Sequence, residues 1–310
     1  MAVKVEPGVV FRPEAYVPSV HAASVCALPS GELMASWFGG TREGAPDTAI
    51  WGARFAGGAW SEPRVIVDTP GRADGNSVVW LDGAGALRMW WVTMEGRGWA
   101  TCRVRELRSG DGGVTWGCER NVRERWGWMV RNEPLAHGGR IVMPMYDERH
   151  WFSFMLLSDD GGETWARSER LLVQGVGLIQ PAVAPLSDGR LLAFMRSTDG
   201  WVYASRSEDA RGEAWSRPER TSLPNPNSAV ELIGLRDGSL LCVYNPTPLG
   251  RTPLRAAVSR DDGSTWETVA DIETDEGEYS YPTAVETSHG VVHVLYTQRR
   301  ETIAHVRIEL

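Results

Sequence analysis

The hydrophobic residues of this chain fall in short runs that alternate with polar positions and are broken by Gly, Asp, Asn and Pro. One unit is Ala182-Val-Ala-Pro-Leu186, a turn at Asp188-Gly189, then Leu191-Leu-Ala-Phe-Met195. Alternation with period two turns one face of a strand toward a core, and Asp-Gly between two such runs predicts a hairpin. No stretch has both the length and the 3.6-residue period of a substantial helix. The pattern predicts an all-β chain.

The hairpin recurs. A turn glycine followed by an apolar run stands at Gly31, Gly83, Gly139, Gly189, Gly238 and Gly290, at intervals of 52, 56, 50, 49 and 52 residues. A second marker, Ser-x-Asp-x-Gly-x-Thr-Trp, is intact at Ser109–Trp116, Ser158–Trp165 and Ser259–Trp266. A degenerate copy runs from Ser207 through Asp209 to Trp215, and Gly57-Gly-Ala-Trp60 is a vestige. Two markers with one period predict six small antiparallel sheets, a six-bladed β-propeller forming a single domain over residues 1–310. After Gly290 only two strand-like runs remain, Val291–Thr297 and Thr302–Ile308, while Val3–Phe11 is a spare strand. The N-terminal strand is therefore expected to complete the last blade and remove its open edge.

Charge narrows the function. With 32 basic and 40 acidic residues the net charge is −8, which disfavours nucleic acid or an anionic membrane as partner. There is no long apolar run, and the first residues lack the apolar core of a secretion signal, so a cytoplasmic location is expected. The four cysteines have neither CxxC nor metal-ligand spacing, and no metal or organic cofactor is implied.

The repeated motif is the Asp-box, or bacterial neuraminidase repeat, and the chain resembles the sialidase superfamily throughout its length. In that family the boxes lie at the blade periphery and are structural, and the site forms where the innermost strands converge on one face. The resemblance implies that residues roughly six to eleven positions before each turn glycine, at the start of the inner strands, reach the site. These are His21, Arg131 to Glu133, Gln180, Asn227 or Ser228, and Tyr281. The ends of the second strands add Arg42, Tyr146-Asp147-Glu148, Arg196, Asn245 and Gln298-Arg299.

Sialidases bind a substrate carboxylate with three arginines and use a Tyr nucleophile assisted by Glu, with Asp as acid/base. A guanidinium matches a carboxylate through two charge-assisted hydrogen bonds, and a phenol attacks beside that carboxylate without adding a second full negative charge. By this resemblance Tyr281 is the expected nucleophile and Asp47 the acid/base group. Arg42 and Arg196 would hold an anionic group, with Gln180, Glu133 and Asn227 as further substrate contacts. The chain also departs from the pattern. His21 stands in place of the first family arginine, and Gln180 in place of the Glu that activates Tyr. Asn227 or Ser228 replaces the blade-five arginine, with Arg251 and Arg255 nearby in sequence. The expected activity is an exo-acting glycoside hydrolase taking a terminal acidic or polar sugar from a carbohydrate. Two alternatives stay open: a uronate polysaccharide lyase using a His21/Tyr281 pair, and a non-catalytic glycan-binding propeller.

Overall fold

The computed structural model describes residues 4–123 and 125–310, and in it each repeat becomes one antiparallel sheet, six in all. Blade 1 is built from Ser19–Ala27, Leu33–Gly40 and Ala49–Ala56, with Ala59–Trp60 and Arg64–Val67 both pairing the third strand. Blade 2 runs Asp74–Leu81, Leu87–Met94, Cys102–Ser109 and Gly117–Asn121. In blade 3 the inner position is filled by two pieces, Trp128–Val130 and Leu135–His137, which pair with opposite ends of Arg140–Asp147. Phe152–Ser158 and Ala166–Arg167 follow. Blade 4 comprises Leu178–Pro185, Leu191–Ser197, Trp201–Arg206 and Glu219–Pro224, and blade 5 comprises Glu231–Gly234, Leu240–Tyr244, Leu254–Ser259 and Glu267–Glu273. Blade 6 takes Tyr279–Ser288, Val291–Gln298 and Thr302–Glu309, and its fourth strand is the N-terminal Lys4–Phe11.

The core lies between blades. Met34, Phe38 and Ile50 of blade 1 pack on Val79, Met89 and Trp91 of blade 2, and Met155 and Leu157 of blade 3 pack on Leu191 and Met195 of blade 4. A strand buried on both faces needs apolar residues at successive positions, which is why Leu33–Gly40 is buried at every residue. The Asp-boxes tie the outer turns. Asp111 accepts hydrogen bonds from Ser109 Oγ (2.8 Å), Thr115 N (2.9 Å) and Thr115 Oγ1 (2.6 Å), and Asp160 and Asp261 repeat the pattern. In the degenerate copy, Asp209 instead accepts from the backbone N–H groups of Arg211 and Gly212, so the turn survives with different donors.

The expected closure is present: Lys4 pairs with Glu309 and Phe11 with Ile303, antiparallel, and Val10 and Phe11 join the core that contains Val20 and Trp37. The first residue expected in that strand, Val3, lies outside the described residues. Behind the seam a chain of hydrogen bonds links Trp60 Nε1 to His305 Nδ1 (3.2 Å) and His305 Nε2 to His293 Nδ1 (2.8 Å). One turn assignment is corrected. In blade 2 the left-handed residue is Gly85 (φ +83°), not Gly83; the other five turn glycines are left-handed as expected.

Candidate active site

The inner strands of blades 1, 2, 4 and 6 share one irregularity. Pairing slips between His21 and Ser24, Gly75 and Val78, Ile179 and Ala182, and Ser280 and Thr283. Within each slip one non-glycine residue is left-handed: Ala22 (φ +55°), Asn76 (+43°), Gln180 (+56°) and Tyr281 (+54°). Each stands nine positions before the turn glycine of its blade, respectively Gly31, Gly85, Gly189 and Gly290. Blade 5 has the same feature at Asn227 (φ +57°), ahead of its inner strand. Such a bulge re-aims a side chain at a cost in backbone energy, and its repetition marks a place where side-chain direction matters.

The re-aimed side chains meet around Tyr281. Arg196, from the end of the second strand of blade 4, donates from Nη1 to Tyr281 Oη (2.8 Å) and Gln180 Oε1 (3.1 Å), and from Nε to Asn227 Oδ1 (2.8 Å). Gln180 Nε2 lies 3.3 Å from Tyr281 Oη, and Tyr146 Oη receives a hydrogen bond from Asn76 Nδ2 (3.0 Å). The tyrosine ring is ringed by cations: Arg131, Arg251 and Arg196 lie 5.2, 5.6 and 5.9 Å from its centre. Arg131 is almost fully buried and donates to the carbonyls of Tyr281 (2.7 Å) and Pro282 (3.0 Å), which fixes the bulge itself. Burial pushes the Tyr281 phenol up, but Arg196 and Arg251 outweigh it and leave the phenol below its ordinary value.

His21 stacks against Tyr281 with ring centres 4.1 Å apart, and its Nδ1 meets Thr297 Oγ1 at 3.0 Å. Burial first, then Arg300, Arg251, Arg131 and Arg196, hold it well below the ordinary histidine range, so it is neutral. Carboxylates complete the rim. Glu278 accepts from Arg251 (2.7 Å) and Arg300 (2.9 Å), and Arg300 also pairs with Glu43. Glu148, half-buried near Arg196, has no ion pair or hydrogen bond to its side chain among the described residues. Burial raises it to about 7, with Arg196 opposing and Glu43 and Asp147 reinforcing the shift.

Of the residues expected from sequence, His21, Gln180, Arg196, Asn227 and Tyr281 are brought into one cluster. Arg42 is exposed on the loop after the second strand of blade 1, without an ion pair among the described residues. Asp47, on the same loop, is exposed and accepts from Thr41 N (3.1 Å) and Thr41 Oγ1 (2.9 Å). Glu133 lies toward the other end of the inner strands, where it lines a separate pocket of about 300 Å³ with Glu231, Leu135 and Val285. Arg255 pairs with Asp271 on the outer part of blade 5, and it is Arg251 that reaches the tyrosine. Arg131 and Glu148, also expected from their positions, join the site, and the structure adds Asn76 and Arg300. Asn76 becomes visible in the sequence once blade 2 is counted from Gly85.

The fold is shared with known sialidases. A microbial sialidase, Hadza Hz136, superposes with a TM-score of 0.84 at 20% identity over 98% of this chain and 68% of its own. A protein of unknown function from Dyadobacter fermentans DSM 18053 gives 0.84 at 21% identity, covering 100% of this chain and 99% of its own. The intramolecular trans-sialidase from Ruminococcus gnavus, solved with oseltamivir carboxylate, gives 0.78 at 14% identity, with 97% of each chain covered. No curated protein matches the sequence significantly. The model of the BNR repeat-like domain matches residues 31–294, a span that holds all six turn glycines and every intact box. By fold, repeat and sequence model together, the chain belongs to the BNR repeat-like domain family.

Proposed function

We propose that the chain is a sialidase-type, exo-acting glycoside hydrolase that removes a terminal sugar bearing an anionic group. One observation carries the reading: the Tyr281 phenol is held by Arg196 at 2.8 Å inside a cage of guanidinium groups. A phenol with an ordinary pKa of about 10 is a poor nucleophile at neutral pH, and surrounding cations stabilise its ionised form. Gln180 cannot take a proton, so in this reading the cations replace the family's carboxylate base and the phenol proton leaves to solvent. Tyr281 Oη then bonds to the anomeric carbon as the glycosidic C–O bond breaks. The leaving oxygen receives a proton, and water later displaces the tyrosine. The same guanidinium groups, with Arg42 at the rim, would pair with the substrate anion.

Two carboxyls are candidates for the proton donor. Asp47 is the one the family resemblance implies. Glu148 is supported by its unpaired carboxyl near Arg196 and its raised value of about 7. Neighbours of the same fold include enzymes named as sialidases, which supports a carbohydrate substrate.

The deciding experiment is Tyr281→Phe assayed on sialosides, aryl glycosides and uronate oligosaccharides. Turnover should fall on the order of 10³-fold or more while binding changes little, because the ring and its cation contacts remain. Undiminished turnover in that variant would refute the assignment. A second reading, β-elimination on a uronate, is favoured by the contact of neutral His21 with Tyr281, which puts a base beside a proton donor. In that case every product would carry a ring double bond and His21→Ala would be as severe as Tyr281→Phe. No turnover on any substrate, with binding lost in Arg196→Ala, would mean a glycan-binding module.

A further inference from the structure

One face of blade 3 breaks with the acidic character of the chain. Arg125, Arg167 and Arg170 are exposed there, and none has a carboxylate partner among the described residues. They are close enough that burial and the charges of Arg170 and Arg125 all hold the Arg167 guanidinium below its ordinary value. Like charges gathered without counterions cost energy, and the arrangement is relieved when an anion arrives. Two of the three are also pre-organised. Arg170 lies over the Phe152 ring at 4.8 Å and Arg125 over the Trp128 ring at 5.3 Å. Stacking fixes a guanidinium plane while leaving its edge N–H groups free for bidentate donation.

Arg125 and Arg170 line a pocket of about 530 Å³ together with His150, Trp151 and Phe152. Asp147 is also in the lining, but its Oδ1 is occupied by the N–H groups of Arg149 (2.9 Å) and His150 (3.0 Å) and by His150 Nδ1 (3.1 Å). The wall between this pocket and the tyrosine is Trp151. Its ring is 5.8 Å from the Arg196 guanidinium, whose Nη1 touches Tyr281 Oη. Trp151 is held left-handed (φ +54°), an outlying conformation for a bulky residue, and is pinned by Leu178 N to its carbonyl (2.9 Å) and by close packing on Gly177. A Cβ at Gly177 would come within 2.7 Å of the Trp151 ring.

We propose that this pocket is a second carbohydrate subsite, which takes an anionic sugar unit, carboxylated or sulfated, on the leaving-group side of the bond at Tyr281. The substrate would then be an acidic oligosaccharide with negative charge on both sides of the cleaved bond. The placement relative to a cleaved bond rests on the hydrolase reading above; the anion-binding pocket does not.

The test is affinity electrophoresis of the full chain in gels containing polysialic acid, polygalacturonate, chondroitin sulfate or neutral dextran. A protein of net charge −8 has no general attraction to polyanions, so retardation reports a specific site. Retardation is expected in at least one acidic gel and not in dextran, decreasing with added salt. The double variant Arg125→Gln/Arg170→Gln should weaken it at least about tenfold, since each lost guanidinium forfeits a charge-assisted hydrogen bond. A control with equal charge change elsewhere, Arg190→Gln/Arg260→Gln, should leave it intact. All of these arginines are exposed, and matching thermal melts will check folding. Carboxylated and sulfated polymers separate the two anion types. No retardation by any acidic polymer, or retardation unchanged in the double variant, overturns the proposal. Tyr281→Phe should keep full retardation, so failure of the hydrolase reading and failure of the subsite give different results.

Discussion

Replacing Phe11 by alanine tests the closure of the ring at a single side chain. Phe11 is 5% exposed, pairs with Ile303 across the seam, and its ring centre is 5.8 Å from Trp37 and 6.3 Å from Trp51. Truncating a buried phenylalanine loses its transfer free energy and leaves a cavity that neighbouring tryptophans cannot fill, about 3–4 kcal/mol. For a domain of 310 residues, with an unfolding entropy of about 0.65 kcal/mol/K, that corresponds to a drop in Tm of roughly 5–6 °C. Val5, on the same strand but 36% exposed, is the control; Val5→Ala should cost under about 1 kcal/mol and shift Tm by no more than about 2 °C. Deleting residues 1–11 should cost more than Phe11→Ala and should also promote self-association, because Thr302–Glu309 becomes a bare edge. Calorimetry and size-exclusion chromatography read both effects. If Phe11→Ala and the deletion both melt within about 2 °C of the parent, the last blade closes without its N-terminal strand and the reasoning is wrong.

Three further outcomes are expected. If Glu148 is the proton donor, kcat on substrates with poor leaving groups should fall as pH rises past about 7, since only the protonated carboxyl donates; Glu148→Gln should remove that limb and slow those substrates roughly 10²–10³-fold, whereas Asp47→Ala would do so if the donor is Asp47. Asp160→Ala should lower Tm, because three hydrogen bonds of its turn are lost, and leave kcat/KM unchanged because the box is remote from Tyr281. His305 is held at about 4, by burial and then by His293, against about 6.5 when unfolded. Between those values only the unfolded chain takes up the proton, so stability is full above about pH 6.5 and declines toward pH 4, by of order 3 kcal/mol at most. Thermal melts across that range should lose this slope in His305→Leu.

Most of the fold was legible in the sequence because its signals are local. A left-handed glycine at a hairpin and a Ser-x-Asp-x-Gly-x-Thr-Trp turn are each fixed by a few neighbouring residues, and both repeat with one period. The site was only partly legible. Counting back from a turn glycine finds which residues stand at the mouth of a blade, and Gln180 and Tyr281, found that way, stand side by side. It does not find their facing, because each bulge inserts a residue and reverses the alternation beyond it. Glu133 illustrates the failure: blade 3 breaks its inner strand over residues 131–134, and Glu133 falls into the pocket at the other end. Arg251 and Arg300 stand outside the regular strands with no pattern of their own, and only tertiary placement brings them to the site.

The repeated left-handed positions make the ring resemble a set of sockets whose fittings can be exchanged. Neighbouring side chains hold several of these backbones, with Ala22 N donating to Thr297 Oγ1, Asn132 Nδ2 to the Gln180 carbonyl and Arg131 to the Tyr281 carbonyl, so the socket does not depend on the side chain it carries. Four of the five carry a polar group, and Ala22 carries only a methyl. Ala22 is fully buried and its methyl packs in the core shared by blades 1 and 2 with Phe38 and Val79, so a larger side chain there would displace packed neighbours. The four polar positions, hydrogen-bonded to Arg196 or Tyr146, are therefore where this ring can exchange one chemistry for another, and position 22 is where the packing between blades 1 and 2 forbids it.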